Sequence, residues 1–107
     1  MRRHKYGAVA VEIDGHRFSS KAEGRRYAQL VLLQKLGEIS GLELQPRFPI
    51  VIDGKLCATY VADFAYFTQG ERVVEDVKGM ITPVYRLKKK LVEALYPGTK
   101  IVEVKSR

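Results

Sequence analysis

The chain has 107 residues, of which 46% are hydrophobic and 29% charged, so we expect one folded domain with a single core. No apolar run approaches the roughly 20 residues of a membrane span and no export signal is visible, so we expect a cytoplasmic protein without membrane contact. One cysteine and two histidines exclude an internal disulfide and the usual zinc sites, whereas a net charge of +7 indicates a polyanionic partner such as nucleic acid.

Hydrophobic periodicity and turn residues predict seven elements. Alternating polarity indicates strands, and a helical period that follows a serine or threonine cap indicates two helices. Hairpin turns are predicted at Asp14-Gly15, Asp53-Gly54 and Gln69-Gly70. The elements are a strand at 8–18, a helix at 19–37, strands at 42–52, 56–68 and 72–78, a helix at 82–96 and a strand at 100–104. This order, βαβββαβ, predicts an α/β fold with a mixed central β-sheet flanked by helices.

Three carboxylates and a lysine are predicted to converge at one end of the sheet. Side chains alternate along a strand, which puts Asp76 and Lys78 on one face and Glu75 on the other. Asp63 lies in a mostly apolar row of the preceding strand, and a hairpin between the two strands sets it near Asp76. The helical period puts Glu23 on the sheet-facing stripe of the first helix. Carboxylate oxygens are the ligands that magnesium prefers, so these residues predict a metal site.

Each of these residues also has a purely structural interpretation. Asp63 can bond a backbone amide at a strand end, Glu23 can favour the helix N-terminus through the macrodipole, and Lys78 can simply pair with Asp76. Their combination within a basic chain is what favours a site over these separate roles.

The cations fall in three clusters, at residues 2–5, 24–26 and 86–90, as expected for binding to a phosphate backbone. The apolar stripe of the second helix is predicted to face the core and to leave the basic flank exposed. Leu32 and Leu36 lie off the core stripe of the first helix and predict either a subunit interface or a second packing surface inside the monomer. The predicted core stripe is Val84, Leu87, Leu91 and Leu95, and the predicted DNA contacts are Arg25, Arg26, Arg86, Lys89 and Lys90.

The combination of a helical glutamate, an aspartate strand and a D-x-K strand resembles the PD-(D/E)XK nuclease superfamily. The residues that carry it are Glu23, "ADF" with Asp63, and "VEDVKG" with Asp76 and Lys78. The sequence departs from the superfamily pattern at Ala62, where the motif has its proline, and this proline is often replaced.

The resemblance extends over residues 18–91 and looks like a small phage-encoded branch that is similar to archaeal-type Holliday junction resolvases. It implies a restriction-endonuclease-like core, a single nuclease domain over residues 1–107, and hydrolysis of DNA phosphodiester bonds with Mg²⁺, for which Mn²⁺ substitutes. It further implies a homodimer that acts on branched or duplex DNA, in the host cytoplasm if the protein is phage-encoded. Three alternatives stay open: a nuclease of the same chemistry that nicks or degrades other DNA, such as single strands, flaps or damaged duplex; a non-catalytic nucleic-acid-binding module; or a basic RNA-binding protein.

The resemblance also implies roles for individual residues. Asp63 and Asp76 would hold the metal, and Glu23 would join them directly or through water. Lys78 would orient or help deprotonate the attacking water and stabilise the developing charge. Gln45 matches a residue that recurs at a strand end in similar nucleases, although a structural role beside the following proline is equally open.

Overall fold

A computed structural model describes residues 9–106, and the predicted basic cluster at residues 2–5 lies outside this part. Within residues 9–106 the chain forms eight strands and two helices. The elements are β1 (Val11–Ile13), β2 (His16–Phe18), α1 (Lys21–Lys35), β3 (Ser40–Leu44), β4 (Arg47–Ile52), β5 (Lys55–Val61), β6 (Phe64–Thr68), β7 (Glu71–Lys78), α2 (Pro83–Leu95) and β8 (Thr99–Lys105). The predicted order βαβββαβ is therefore corrected to ββαβββββαβ, because three of the predicted strands are each divided in two.

A mixed four-stranded sheet with the strand order β3-β6-β7-β8 lies at the centre of this α/β domain. The β3–β6 and β6–β7 pairs are antiparallel, and β8 joins β7 in parallel after the α2 crossover. Two separate hairpins, β1–β2 and β4–β5, complete the fold. Neither α1 nor α2 has the length and apolar character that crossing a membrane would require.

The predicted hairpin turns are confirmed. Both central residues of each turn have positive φ, as a type I′ turn requires: 54° and 78° at Asp14-Gly15, 50° and 77° at Asp53-Gly54, and 50° and 78° at Gln69-Gly70. This turn matches the twist of the flanking strands and fixes their register. The last turn joins β6 to β7, so it determines which residues of these two strands stand side by side.

The helix ends are confirmed as well. The Ser20 side chain caps the N-terminus of α1. The helix ends just before Gly37, whose φ of 81° is in the left-handed region that favours glycine. Thr82 caps α2 and Pro83 fills its first turn. The two helices pack on opposite faces of the central sheet, α1 with the β1–β2 hairpin and α2 with the β4–β5 hairpin. The domain is therefore a central sheet between two layers, each made of one helix and one hairpin.

The predicted core stripe of α2 is wrong at Val84, Leu87 and Leu95, which are exposed, and is confirmed only at Leu91, which packs against the core. Val84 and Leu87 are 63% and 59% exposed, whereas Tyr85 and Val92 are buried against the sheet. The helix is rotated by about one residue because an aromatic ring, not a leucine, fills the space beside the β4–β5 hairpin, with Tyr85 packing 6.3 Å from Tyr60.

This rotation predicts unequal costs for two substitutions in α2. Leu87→Gln should change the free energy of unfolding by less than about 0.5 kcal/mol because the side chain is exposed. Val92→Ala should lower it by roughly 2 kcal/mol because it opens a cavity in a completely buried site. Urea denaturation of both variants measures the difference, and equal losses would contradict this orientation of the helix.

Leu32 and Leu36 are exposed on α1, as their position off the core stripe predicts. Within residues 9–106 they do not form the second packing surface inside the monomer that was one of their two interpretations. A subunit interface through these two leucines stays a prediction.

Candidate active site

Asp76 lies near the end of β7 on the face that α2 covers and is 3% exposed. The Nζ atom of Lys78, two residues along the same face, lies 3.7 Å from Asp76 Oδ1. The other carboxylate oxygen, Oδ2, is buried and has no hydrogen-bond partner among residues 9–106. A buried polar atom without a partner is costly in a folded protein, so this oxygen is suited to bind a cation.

Asp63 occupies the bend between β5 and β6, directly beside Asp76. Its backbone N–H donates to the carbonyl of Glu75 over 3.0 Å, and its carbonyl accepts from the N–H of Gln45 over 2.9 Å. Its Oδ2 atom accepts a hydrogen bond of 2.6 Å from the backbone N–H of Val77. The register of the β6–β7 hairpin therefore brings the two aspartates to neighbouring positions, as predicted, and Asp63 also bonds a backbone amide.

Both aspartates hold their protons more tightly than usual. Burial raises the pKa of Asp76 to about 6; Lys78 opposes this shift and Glu23 adds to it. Burial likewise raises the pKa of Asp63 to about 6, where the Val77 hydrogen bond opposes the shift and Glu23 again adds to it. Lys78 only partly offsets the cost of burying the two carboxylates, and a bound divalent cation would supply further positive charge.

Glu23 lies in the first turn of α1 and combines two functions. Its N–H donates to the Ser20 hydroxyl over 3.1 Å, and its carboxylate accepts hydrogen bonds from the Ser19 and Ser20 hydroxyls at the start of the helix. The same carboxylate contributes to the raised pKa of both Asp63 and Asp76. The helix therefore directs Glu23 toward the acids but holds it in its own cap.

No group of three or more His, Cys, Asp or Glu side chains in the described part of the chain is arranged to hold a metal ion. The Glu23 carboxylate is engaged with serines and also interacts with the Asp63 carboxylate, whereas Asp63 and Asp76 lie at neighbouring backbone positions. Two carboxylates nevertheless fit magnesium, because this ion usually keeps several waters and binds one or two carboxylates together with phosphate oxygens of the substrate.

Lys78 is held by an aromatic ring that the sequence did not indicate. Its Nζ atom lies 4.1 Å from the centroid of the Tyr85 ring, a cation–π contact. The Tyr85 hydroxyl donates a 2.9 Å hydrogen bond to Glu103 on β8, which also accepts from Lys89 over 3.1 Å. The Tyr85 hydroxyl, with Lys89, holds the pKa of Glu103 below its usual range. The ammonium of Lys78 is therefore fixed between Asp76 and α2.

Gln45 stands next to Asp63 at the end of β3. Its φ of 51° is in the left-handed region, which is unusual for a residue with a side chain, and its side chain is exposed. Its backbone, bonded to Asp63, ends the pairing of β3 with β6 just before Pro46. The structure thus gives Gln45 a backbone role at the bend and leaves its side chain free beside the acids.

The basic residues predicted to contact DNA differ in their surroundings. Arg86 and Lys90 are exposed on α2, whereas Lys89 is paired with Glu103. Arg25 is exposed and donates to the carbonyl of Ser106 over 3.3 Å. A cleft of about 680 Å³ is lined in part by Glu23 and Arg25, and a second cleft of about 640 Å³ is lined in part by Arg86, Lys89 and Lys90.

Arg26 does not share this exposed placement, because it has an internal partner. Its Nε and one terminal nitrogen each donate a 2.7 Å hydrogen bond to the carboxylate of Glu75, which is 1% exposed. Its other terminal nitrogen donates to Gln29 over 2.9 Å, and the Tyr66 hydroxyl donates to Glu75. Arg26 therefore neutralises a buried acid, so we no longer expect it to contact phosphate. The sequence signal was the acid itself, placed between Val73 and Val77 on one face of β7.

The raised pKa values predict how stability depends on pH. A carboxylate whose pKa is higher in the folded than in the unfolded chain stabilises the fold below the unfolded pKa, and this stabilisation is lost as pH rises through the folded pKa. The loss is on the order of 1 to 2 kcal/mol for each aspartate after allowance for screening by solvent. We expect the melting temperature of metal-free protein to fall as the pH rises from about 4 to about 6.5, and to fall less in the variant Asp63→Asn/Asp76→Asn. Parallel pH profiles for the two proteins would contradict the assignment.

Comparison with known proteins gives one match. The family described as "Protein of unknown function (DUF1064)" matches residues 3–106. No curated protein and no solved structure matches the chain.

Proposed function

Because the chain belongs to the DUF1064 family, whose function is unknown, we propose from its own residues that it is a metal-dependent DNA endonuclease. The observation that carries this proposal is the buried, unpartnered carboxylate oxygen of Asp76 beside Asp63 and Lys78. A purely structural acid at this depth would have its oxygens satisfied by hydrogen bonds. A basic chain with one cleft lined in part by Glu23 and Arg25, and a second lined by Arg86, Lys89 and Lys90, adds support for a polyanionic substrate.

In the proposed reaction, Asp63 and Asp76 would hold magnesium, and Glu23 would contribute through a water molecule because its carboxylate is engaged at the start of the helix. The metal, when bound, polarises a phosphoryl oxygen and lowers the pKa of bound water. Lys78, fixed by Asp76 and the ring of Tyr85, orients the attacking water and stabilises the charge that develops on the phosphate. The exposed side chain of Gln45 contacts substrate or water at the edge of the same site.

The finer proposal is that the domain has the core of the PD-(D/E)XK nucleases and resolves four-way DNA junctions as a homodimer. The mixed sheet with a helix on each face is consistent with such a core, and exposed Leu32 and Leu36 offer an apolar surface for a second copy. A junction presents two symmetric cutting positions, which a two-fold dimer matches.

The direct test is cleavage of four-way junction, flap, single-stranded and linear duplex DNA, each with Mg²⁺ and with a chelator. Paired symmetric cuts restricted to the junction, and lost in chelator, are the expected result. Metal-dependent cutting of the other substrates would retain the endonuclease but overturn the resolvase. Binding without cutting of any substrate in Mg²⁺ or Mn²⁺ would favour a non-catalytic nucleic-acid-binding module.

DNA binding should depend on the exposed cations of α2. Arg86→Ala/Lys90→Ala removes two predicted phosphate contacts, so the slope of log binding constant against log salt should become shallower by about 2. Fluorescence anisotropy with labelled DNA in chelator measures this slope. Lys35→Ala is the matched control, since this exposed residue lies at the opposite end of α1 from Glu23, and it should leave the slope unchanged. Equal effects of both variants would contradict a specific role for α2.

A further inference from the structure

The buried acid Glu75 and its two partners, Arg26 and Tyr66, occupy the face of the sheet opposite to Asp76. We propose that these three residues are a positioning unit, which sets the distance between Glu23 and the two aspartates and thereby the affinity of the site for its metal ion. This inference rests on the proposed function, because it concerns the same metal site.

The first step is the geometry of β7. Glu75 and Asp76 are consecutive residues, so their side chains leave the strand on opposite faces. Asp76 faces α2, whereas Glu75 faces α1. The Glu75 carboxylate accepts 2.7 Å hydrogen bonds from two of the three nitrogens of the Arg26 guanidinium. Any shift of α1 along β7 is therefore opposed at the residue next to a proposed metal ligand.

The second step is the geometry of α1. Arg26 lies three residues after Glu23, which places the two side chains on neighbouring positions of the same helix face about one turn apart. The terminal nitrogen of Arg26 that does not contact Glu75 is also bonded, to Gln29 over 2.9 Å. The guanidinium is thus held at all three nitrogens, and the turn of helix that carries Glu23 is tied to the strand segment that carries Asp76.

The third step is the chemistry of the pair. A buried ion pair is often replaceable by apolar side chains without loss of stability, so stabilisation alone is weak grounds for its presence. A role of buried ion pairs that is better supported is to select one geometry among several. The planar fork of arginine accepts one orientation of a carboxylate, which a lysine would not impose. The Tyr66 hydroxyl bonds the same carboxylate, so Glu75 has little freedom to follow a displaced helix.

The test replaces both charges together. Arg26→Leu/Glu75→Leu avoids leaving a buried charge unpaired, and Arg26→Lys is the conservative variant if the double variant does not fold. The matched control is Arg72→Leu/Glu43→Leu, which removes an exposed ion pair of 3.3 Å between β7 and β3. Binding of Mn²⁺ is measured by titration calorimetry without DNA, and the half-saturating Mg²⁺ concentration for cleavage is measured separately.

We expect Arg26→Leu/Glu75→Leu to weaken Mn²⁺ binding and to raise the half-saturating Mg²⁺ concentration by about 10-fold or more, with Arg26→Lys intermediate and the control unchanged. The cleavage rate at saturating Mg²⁺ should stay within a few fold of wild type, since the unit does not touch the substrate. Unchanged Mn²⁺ affinity in the folded variant, with a wild type that binds Mn²⁺ and cleaves, would overturn the positioning role alone. A wild type that neither binds Mn²⁺ nor cleaves would overturn the proposed function and this inference with it.

Discussion

Asp76→Asn is expected to lower metal-dependent cleavage by at least about 100-fold and, at the same time, to raise the melting temperature of the metal-free protein at pH 7.5. Activity should fall because the amide removes the charge that holds the metal. Stability should rise because burial disfavours the ionised carboxylate, whose pKa is about 6 in the folded chain and which is therefore charged at pH 7.5. Cleavage assays and thermal denaturation of the same preparation measure both effects.

The control for this variant is Asp53→Asn, which makes the same chemical change in the exposed turn between β4 and β5. It should leave cleavage and melting temperature as in wild type. DNA binding by the Asp76 variant should persist, because one negative charge near the phosphate is removed. Cleavage at the wild-type rate would remove Asp76 from the site, whereas loss of activity together with loss of the fold would count against the stabilising effect.

The second large effect is expected from breaking the buried ion pair on one side only. Arg26→Leu should lower the free energy of unfolding by about 3 to 5 kcal/mol, because Glu75 would remain buried without its cation. Arg26→Leu/Glu75→Leu should recover most of this loss, since neither charge is then buried. Because small domains are stable by only about 5 to 15 kcal/mol, the single variant should be visibly destabilised in urea denaturation.

A double-mutant cycle with Glu75→Leu then gives the coupling energy of the pair. The exposed pair Arg72 and Glu43 provides the reference, for which a coupling below about 1 kcal/mol is expected. Equal coupling in the two cycles would contradict the view that burial makes the Arg26 pair costly to break.

The parts of the fold that the sequence predicted correctly are those decided by local interactions. A serine or threonine cap, a following proline and a terminal glycine act within one helical turn, and they placed the ends of both helices. A two-residue turn fixes strand register without help from the rest of the chain, which is why Asp63 could be set beside Asp76 from sequence alone.

The parts that could not be predicted depend on contacts between distant segments. The rotation of α2 was wrong because it is set by rings from the β4–β5 hairpin, and periodicity within the helix cannot rank tyrosine against leucine for that space. Arg26 was assigned to DNA because its partner Glu75 lies 49 positions away in sequence. The division of the long strands follows from the bend at Gln45 and Asp63, where backbone bonds cross between segments.

The candidate site shows the same difference between local interactions, which can be predicted, and contacts between distant segments, which cannot. Asp76 and Lys78 share a face because strand geometry requires it, and Asp63 joins them through a local hairpin. Glu23 comes from another layer of the domain, and its carboxylate bonds to serines in its own helix cap. These serines compete with a metal ion for the carboxylate, and residue spacing in the sequence does not reveal this competition. Tyr85 contacts Lys78 only because α2 packs on the sheet, which the sequence alone did not reveal.

The parallel strand β8 has a consequence for how the protein is synthesised. It pairs with β7 from Arg72 opposite Thr99 to Lys78 opposite Lys105, yet it is separated from β7 by the whole of α2 and leaves the ribosome after both. Until then β7 is an open edge whose backbone groups are available to any other extended chain, and edges of this kind promote aggregation. The strand that carries Asp76 is therefore open to mispairing in a nascent polypeptide until β8 covers its edge.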